Sequence, residues 1–422
     1  MKKIGYLICI ALLVSSCGSQ KKIAPQEGRI AIQSGVSERI TKTEISVQTG
    51  TPQSNISWTQ ASANASNLIP HGKIQKNSQK VWSRNVGKGI SKSALILPEP
   101  IIIDNTIYTL DSTFRLSAVD ETNGKRLWQK ELPTQKDMSM ASIGLASDGT
   151  YLYIVAGNGM VYATDLKGET VWSHNTNAIL RSAPAVADGR LYVMSGNNEL
   201  FVLNTKDGSE LWHFQNIATD TNLFGMGQPA VSKEVAIIPF SSGEIIAFDT
   251  KNRMMLWSDT LLSRRTFNQI NDLSHVLASP VIEGDTVYVV GNAQKLGAFD
   301  LKSGTIKYIQ NIGGQNTPVV NGNALFMITT QNTLVALDKK SGSLIWETEL
   351  TSKDPKGVAW KGPVLANNQL IVVSNKGDIV FISAINGEQT QSIKSDPLSN
   401  KPILGTDKII FYTNDADLIA YQ

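Results

Sequence analysis

An all-β fold, an eight-bladed β-propeller with four-stranded antiparallel blades, is predicted by three features of the sequence. A unit of about 40–45 residues recurs from residue 80 to the end, the usual period of a propeller blade. Aromatic residues, mostly tryptophan, fall at one place in that unit. A lone strand at the start of the repeats matches the piece missing from the last one.

Each unit begins with a small residue or Gly, often Pro, and a hydrophobic triplet closed by Asp/Asn-Gly. An alternating strand, a polar turn and a second strand ending in Asp follow, then Gly and Trp. One copy runs Ala183-Pro184-Ala185-Val186-Ala187-Asp188-Gly189, continues through Leu200-Phe201-Val202-Leu203-Asn204, and reaches Gly208 and Trp212. Another runs from Thr317-Pro318-Val319-Val320-Asn321-Gly322 to Asp338, Gly342 and Trp346. The aromatic slot holds Trp82, Trp128, Trp172, Trp212, Trp257 and Trp346, with Tyr308 and Gln391 in the two weaker copies. These eight slots account for six of the eight tryptophans in the chain. The six tryptophans are expected to dock one blade on the next, with Trp212, in the clearest copy, buried between blades.

Asp120, Asp165, Asp249, Asp300 and Asp338 each end a strand. A carboxylate there can accept the free amides of the following turn. Gly124, Gly168, Gly208, Gly304 and Gly342 follow, where the turn calls for a positive φ. Recurrence with the same neighbours makes these acids turn caps rather than catalysts. The last unit stops at Leu418-Ile419-Ala420-Tyr421-Gln422, short of its outer strand, whereas Lys80-Val81-Trp82-Ser83 is an outer strand without a unit. The N-terminal strand is therefore expected to complete the last blade and remove the open edges of the ring.

Three regions follow: an export signal over 1–16, a flexible tether over 17–75, which the resemblance named below implies is lipid-anchored, and the propeller over 76–422. Lys2 and Lys3 precede an apolar run, Ile4 to Val14, that is too short to span a bilayer. Val14-Ser15-Ser16-Cys17-Gly18 then places small residues before a cysteine. The only other cysteine, Cys9, lies inside the leader, so Cys17 has no disulfide partner in the mature chain. Residues 18 to about 75 are rich in Ser, Thr, Gln and Asn without sustained periodicity, although Trp58 and Ile69 point to contact with the folded body.

The composition excludes several classes. Lys and Arg number 39 against 36 Asp and Glu, and no basic block marks a nucleic-acid surface. His71, His174, His213 and His275 fall on different repeats without metal-ligand spacing. No Gly-x-Ser-x-Gly elbow or phosphate loop occurs; Val86-Gly87-Lys88-Gly89-Ile90-Ser91-Lys92 lacks the loop spacing. No catalytic residue, metal site or cofactor is assigned.

The run Leu116-Ser117-Ala118-Val119-Asp120, with Gly124, Leu127 and Trp128, resembles the docking motif of pyrroloquinoline-quinone-type propellers over roughly residues 80 to 422. The adjacent cysteine pair of the quinoprotein dehydrogenases is missing. With its lipobox at Cys17, short tether and bare propeller, the chain resembles the BamB family, lipoproteins of the outer-membrane β-barrel assembly machine. That resemblance implies acylation of Cys17, a place at the periplasmic face of the outer membrane, and a scaffold rather than an enzyme. It implies as partner the barrel-forming subunit BamA. Of the family's contact stretches, the first falls near Thr221 to Gly225, where Leu223 alone matches. The second falls near His275-Val276-Leu277, where neither acid is kept. The alternatives on the same fold are a quinoprotein-like periplasmic enzyme and a propeller for another envelope ligand.

Connection lengths add a surface. The link from Trp257 to Pro280 is the longest compared and carries Arg264, Arg265, Phe267, Ile270, Asp272 and His275. Its neighbour, from Trp212 to Pro229, carries Leu223, Phe224 and Met226. Long loops with arginine and apolar residues have the composition of a binding hot spot. Leu223, Phe224, Arg264, Arg265, Asp272 and His275 are the expected partner-binding residues.

Overall fold

The computed structural model of the chain describes residues 35–54, 56–75, 79–91, 96–133, 142–217, 226–260, 278–291 and 295–422. Among them are eight separate four-stranded antiparallel sheets. The first blade consists of Ile101–Ile103, Thr106–Leu110, Arg115–Asp120 and Arg126–Glu131, innermost strand first. Blades two to seven repeat this order over 142–175, 185–215, 230–259, 281–310, 319–349 and 360–394. The eighth takes Ile403–Leu404, Ile409–Tyr412 and Asp417–Tyr421, and its outer strand is Lys80–Asn85. In that closing pair Trp82 faces Ala420 and Asn85 faces Asp417.

Burial follows from position within a blade. The two middle strands are covered on both faces by neighbouring blades and read as continuous apolar runs, as in Arg190–Met194 and Glu199–Asn204. Outer strands such as Thr170–Asn175 bury one or two residues and show the rest to solvent.

The recurrent aromatic works through a bulge and a glycine. In six blades an alanine on the third strand faces the aromatic directly: Ala118–Trp128, Ala163–Trp172, Ala247–Trp257, Ala298–Tyr308, Ala336–Trp346 and Ala420–Trp82. The register slips just after each of these pairs, and such a bulge re-aims a side chain. The indole then covers the turn glycine of the next blade. A Cβ on Gly124 would sit 2.6 Å from Trp82, one on Gly208 2.5 Å from Trp172, one on Gly304 2.6 Å from Trp257 and one on Gly387 2.7 Å from Trp346. Each of these four indoles also donates its Nε1–H to a backbone carbonyl of that next blade, at Glu121, Thr205, Leu301 and Ala384, over 2.9–3.0 Å. Gly168 lies on Trp128 and Gly342 on Tyr308 in the same way.

The strand-ending acids cap their turns. Asp120 Oδ1 accepts the amide of Thr122 at 2.8 Å and Asp165 Oδ1 that of Lys167 at 2.9 Å. Asp249 and Asp300 do likewise, and the amides of Asn252 and Ser303 hold these two carboxyls below the usual carboxylate range.

Trp212 departs from the expectation of burial. It is half-buried, and the next blade offers it Arg253, at φ 61°, where its siblings have glycine. The Arg253 guanidinium reaches back to the Leu211 carbonyl at 2.9 Å, and the Trp212 ring rests on Phe248 with centroids 5.2 Å apart. Trp82, Trp128 and Trp257 are also half-buried, whereas Trp172 and Trp346 are buried.

The larger difference lies at the N-terminus. The flexible tether expected over 17–75 does not describe residues 36–74, which are folded onto the propeller. A short helix, Val36–Arg39, packs beside the outer strand of blade six, and Thr43 N bonds Leu344 O at 2.9 Å. The chain then crosses the inner ends of all eight blades. Trp58 and Ile102 exchange backbone bonds of 3.1 and 2.8 Å on blade one, and Ser147 N reaches Thr59 O on blade two. The Gln60 amide replaces a strand on blade three, accepting from Val186 N at 3.0 Å and donating to Val186 O at 2.8 Å. Val231 N bonds Ala65 O, Ile282 N bonds Ser66 O, Asn323 N bonds Gln48 O and Gly72 N bonds Leu365 O, on blades four to seven. Ile74 bridges Asp407 on the eighth. Innermost strands have an unpaired edge towards the axis, and buried amides there need acceptors; this segment supplies them. Its pairings are single bridges to distant blades, so no periodicity announces it.

Candidate functional site

Two places on the described surface are candidates for function: the face from which the long connections leave, and the propeller axis. In every blade the innermost strand is entered from the preceding blade's outer strand, so these connections share one face. The Asp-Gly turns, with the N-terminal segment across them, lie on the other.

Leu223, Phe224, Arg264, Arg265, Asp272 and His275 lie outside the described residues, as does Cys17. The stems of their two loops are described and lie side by side. A Cβ on Gly227 would come 2.6 Å from the Ala278 carbonyl. Gln228 N donates to Ser279 Oγ at 3.0 Å. Gln228 is 2% exposed, and its Nε2 donates to Pro184 O at 3.1 Å and to Gln60 Oε1 at 3.2 Å. The stems are therefore fastened to blade three and to the axial segment. Asn67, fully buried at φ 57°, ties this region together by donating to Pro280 O at 2.9 Å and Pro229 O at 3.3 Å.

The rim beside the stems is apolar. Ile217 is 81% exposed and Ile179 56% exposed, while Met226 is half-buried and its amide bonds the Arg181 carbonyl at 3.2 Å. The Ile217 carbonyl accepts from Asn198 Nδ2 at 2.8 Å, which fixes the side chain's base while leaving the aliphatic group in solvent. Large exposed aliphatics held on ordered backbone are a mark of contact surfaces. Neither isoleucine is marked in the sequence, where each lies in a connection outside the repeated strand pattern. At the base of the longer loop, burial raises the Asp259 carboxyl above the ordinary range.

The histidines are structural or dispersed. His71, 2% exposed, is a latch in the axial segment: its Nδ1 lies 2.7 Å from Gly50 O and its Nε2 accepts from Asn368 N at 3.0 Å. Burial lowers its pKa, against the opposing pull of the Gly50 carbonyl, which suits a neutral ring that both donates and accepts. His213 stacks on Phe201 with centroids 4.6 Å apart and lies 3.7 Å from Glu199. Among the described residues no group of three His, Cys, Asp or Glu side chains is placed to hold a metal ion, and no helix is long and apolar enough to cross a membrane.

Comparison with known proteins matches residues 112–348 and 311–422 to the family model described as outer membrane protein assembly factor BamB. A relative from Yersinia pestis bearing that name is 24% identical over 363 residues, covering 84% of this chain and 91% of its own. One from Escherichia coli (strain K12) is 25% identical over 355 residues, covering 82% and 89%. Among solved structures, BamB from Moraxella catarrhalis superposes with a TM-score of 0.70 at 16% identity, over 82% of this chain and 99% of that one. A europium-containing methanol dehydrogenase superposes at 0.67 and 12% identity, over 85% and 89%. The fold is thus common to an assembly factor and to a dehydrogenase, and cannot by itself choose between them.

Proposed function

The chain belongs to the family of outer membrane protein assembly factor BamB, and we propose that it serves as a scaffold subunit of the outer-membrane β-barrel assembly machinery, without enzymatic activity of its own. In this reading, lipid on Cys17 holds the propeller at the periplasmic face of the outer membrane. The face of long connections docks a BamA-type barrel-forming subunit through its periplasmic domains. Phe224 and Leu223 fill an apolar groove on the partner, and Arg264 or Arg265 pairs one of its acids. Asp272 and His275 line the same loop.

The observation that carries the reading is the fastening of the two loop stems to each other at Gly227 and Ala278, beside the exposed Ile217. It sets the roots of two loops from adjacent blades side by side on a rigid support, which supports a hot spot built from both. The axis supports a scaffold over a quinoprotein, because the segment carrying Trp58, Asn67 and Ile69 fills one end of it with buried side chains.

The test is the double substitution Phe224→Ala with Arg265→Glu. Partner capture by the folded variant is expected to fall at least tenfold, equivalent to about 1.4 kcal/mol. Unchanged capture with a lowered melting temperature would make these residues loop packing and move the interface elsewhere.

A further inference from the structure

Among the described residues, the loop-side end of the axis brings two lysines to one carboxylate, a feature that the scaffold reading does not use. Glu99 precedes the innermost strand of blade one, Lys401 precedes that of blade eight, and Lys361 stands at the start of that of blade seven. Lys401 is 9% exposed and its ammonium is paired with the Glu99 carboxylate. The second oxygen of Glu99 faces the Ser62 amide at 3.4 Å. Lys361 donates to the Ser399 carbonyl, two residues before Lys401, and is close enough to feel both the Glu99 carboxylate and the Lys401 ammonium. Among the described residues, the buried Lys401 ammonium thus holds the one carboxylate, while the half-buried Lys361 beside it bonds only a backbone carbonyl.

Buried charges are ordinarily matched, because an uncompensated ion in a protein interior keeps most of its desolvation cost. A backbone carbonyl offers Lys361 a dipole, not a counter-charge. The consequence is visible in its acidity: burial pushes Lys361 down to about 8, only partly opposed by Glu99. These groups sit at the end of the innermost strands entered from the long connections, with Glu99 also reaching the axial segment at Ser62. We propose that this end of the axis binds a carboxylate, with Lys361 and Lys401 as its counter-cations. The carboxylate comes either from a small anion in solution or from an acidic side chain on a bound protein. The site stands on its own charges, whether or not the neighbouring loops bind a partner.

Lysine ε-carbon NMR on the full propeller tests this at constant ionic strength. The Lys361 titration is followed in chloride, in acetate, and with a blocked aspartate-containing peptide. Binding to the charged form raises its midpoint; a tenfold preference moves it by about one pH unit. A shift with acetate and not the peptide identifies a small-anion site. A shift with the peptide alone identifies recognition of an acidic side chain, and a shift with both a site open to either. Lys401→Met is expected to abolish the shift. Glu99→Gln, which removes the competing carboxylate, is expected to enlarge it, and Lys206→Met on the opposite face is expected to leave it intact. No shift with either probe in the wild type, or an undiminished shift in Lys401→Met, overturns the proposal and leaves Lys361 as a lysine satisfied by Ser399.

Discussion

Replacing Trp58 with alanine is expected to lower the stability of the propeller by about 3–5 kcal/mol, the range for emptying a large buried aromatic site. Trp58 is fully buried although it lies before the repeats begin. Its backbone closes the inner edge of blade one at Ile102, and its side chain belongs to a cluster with Ile69, Ile102, Val364 and Leu404. The loss therefore opens a void at the inner edge of blade one. Urea unfolding of the purified variant measures it. A change under about 1 kcal/mol would mean that the segment rests on the ring without supporting it.

The docking tryptophans are expected to divide by the residue they cover. Trp346→Ala should cost about 3–5 kcal/mol, since its indole is buried, covers Gly387 and donates to the Ala384 carbonyl. Trp212→Ala should cost no more than about 2 kcal/mol. It is half-buried, and Arg253 in place of glycine keeps it off the next turn. Parallel denaturation of the two variants checks the difference. Equal losses would show that apolar area alone, rather than glycine docking, holds neighbouring blades together.

That contrast also marks how far the sequence could be read. The blades were legible because each unit carries its own local signals: Asp at a strand end, glycine where φ is positive, an aromatic at the bulge. These are neighbour-to-neighbour requirements, visible without the fold. Trp212 misled because its environment is set by residue 253 in the following unit, and its own unit looks complete. The axial segment was less legible still. Gln60, Asn67 and His71 work by bonding backbone groups of blades more than a hundred residues away, and polar residues used once each leave no period. The pairing of the loop stems, and the meeting of Lys361 with the Lys401–Glu99 pair, likewise arise only when the ring brings separate units together. Leu223, Phe224, Arg264, Arg265, Asp272 and His275 were chosen from loop length and composition, and rest on those grounds.

The connection between fold and role runs through rigidity. The N-terminal segment is bonded to every blade, so the chain that leads from Cys17 joins a body whose inner strands it helps to hold. The long connections leave from the opposite face, where Ile217 is an exposed aliphatic of the described rim. Lys206 sits in an Asp-Gly turn of the same blade and faces the other way.

A photocrosslinking side chain placed at Ile217 or at Lys206, in intact cells, decides whether the face of long connections is the docking face. The Ile217 position is expected to give a covalent adduct with the barrel-forming subunit and the Lys206 position none. Adducts from Lys206 without adducts from Ile217 would place the partner on the face crossed by the N-terminal segment.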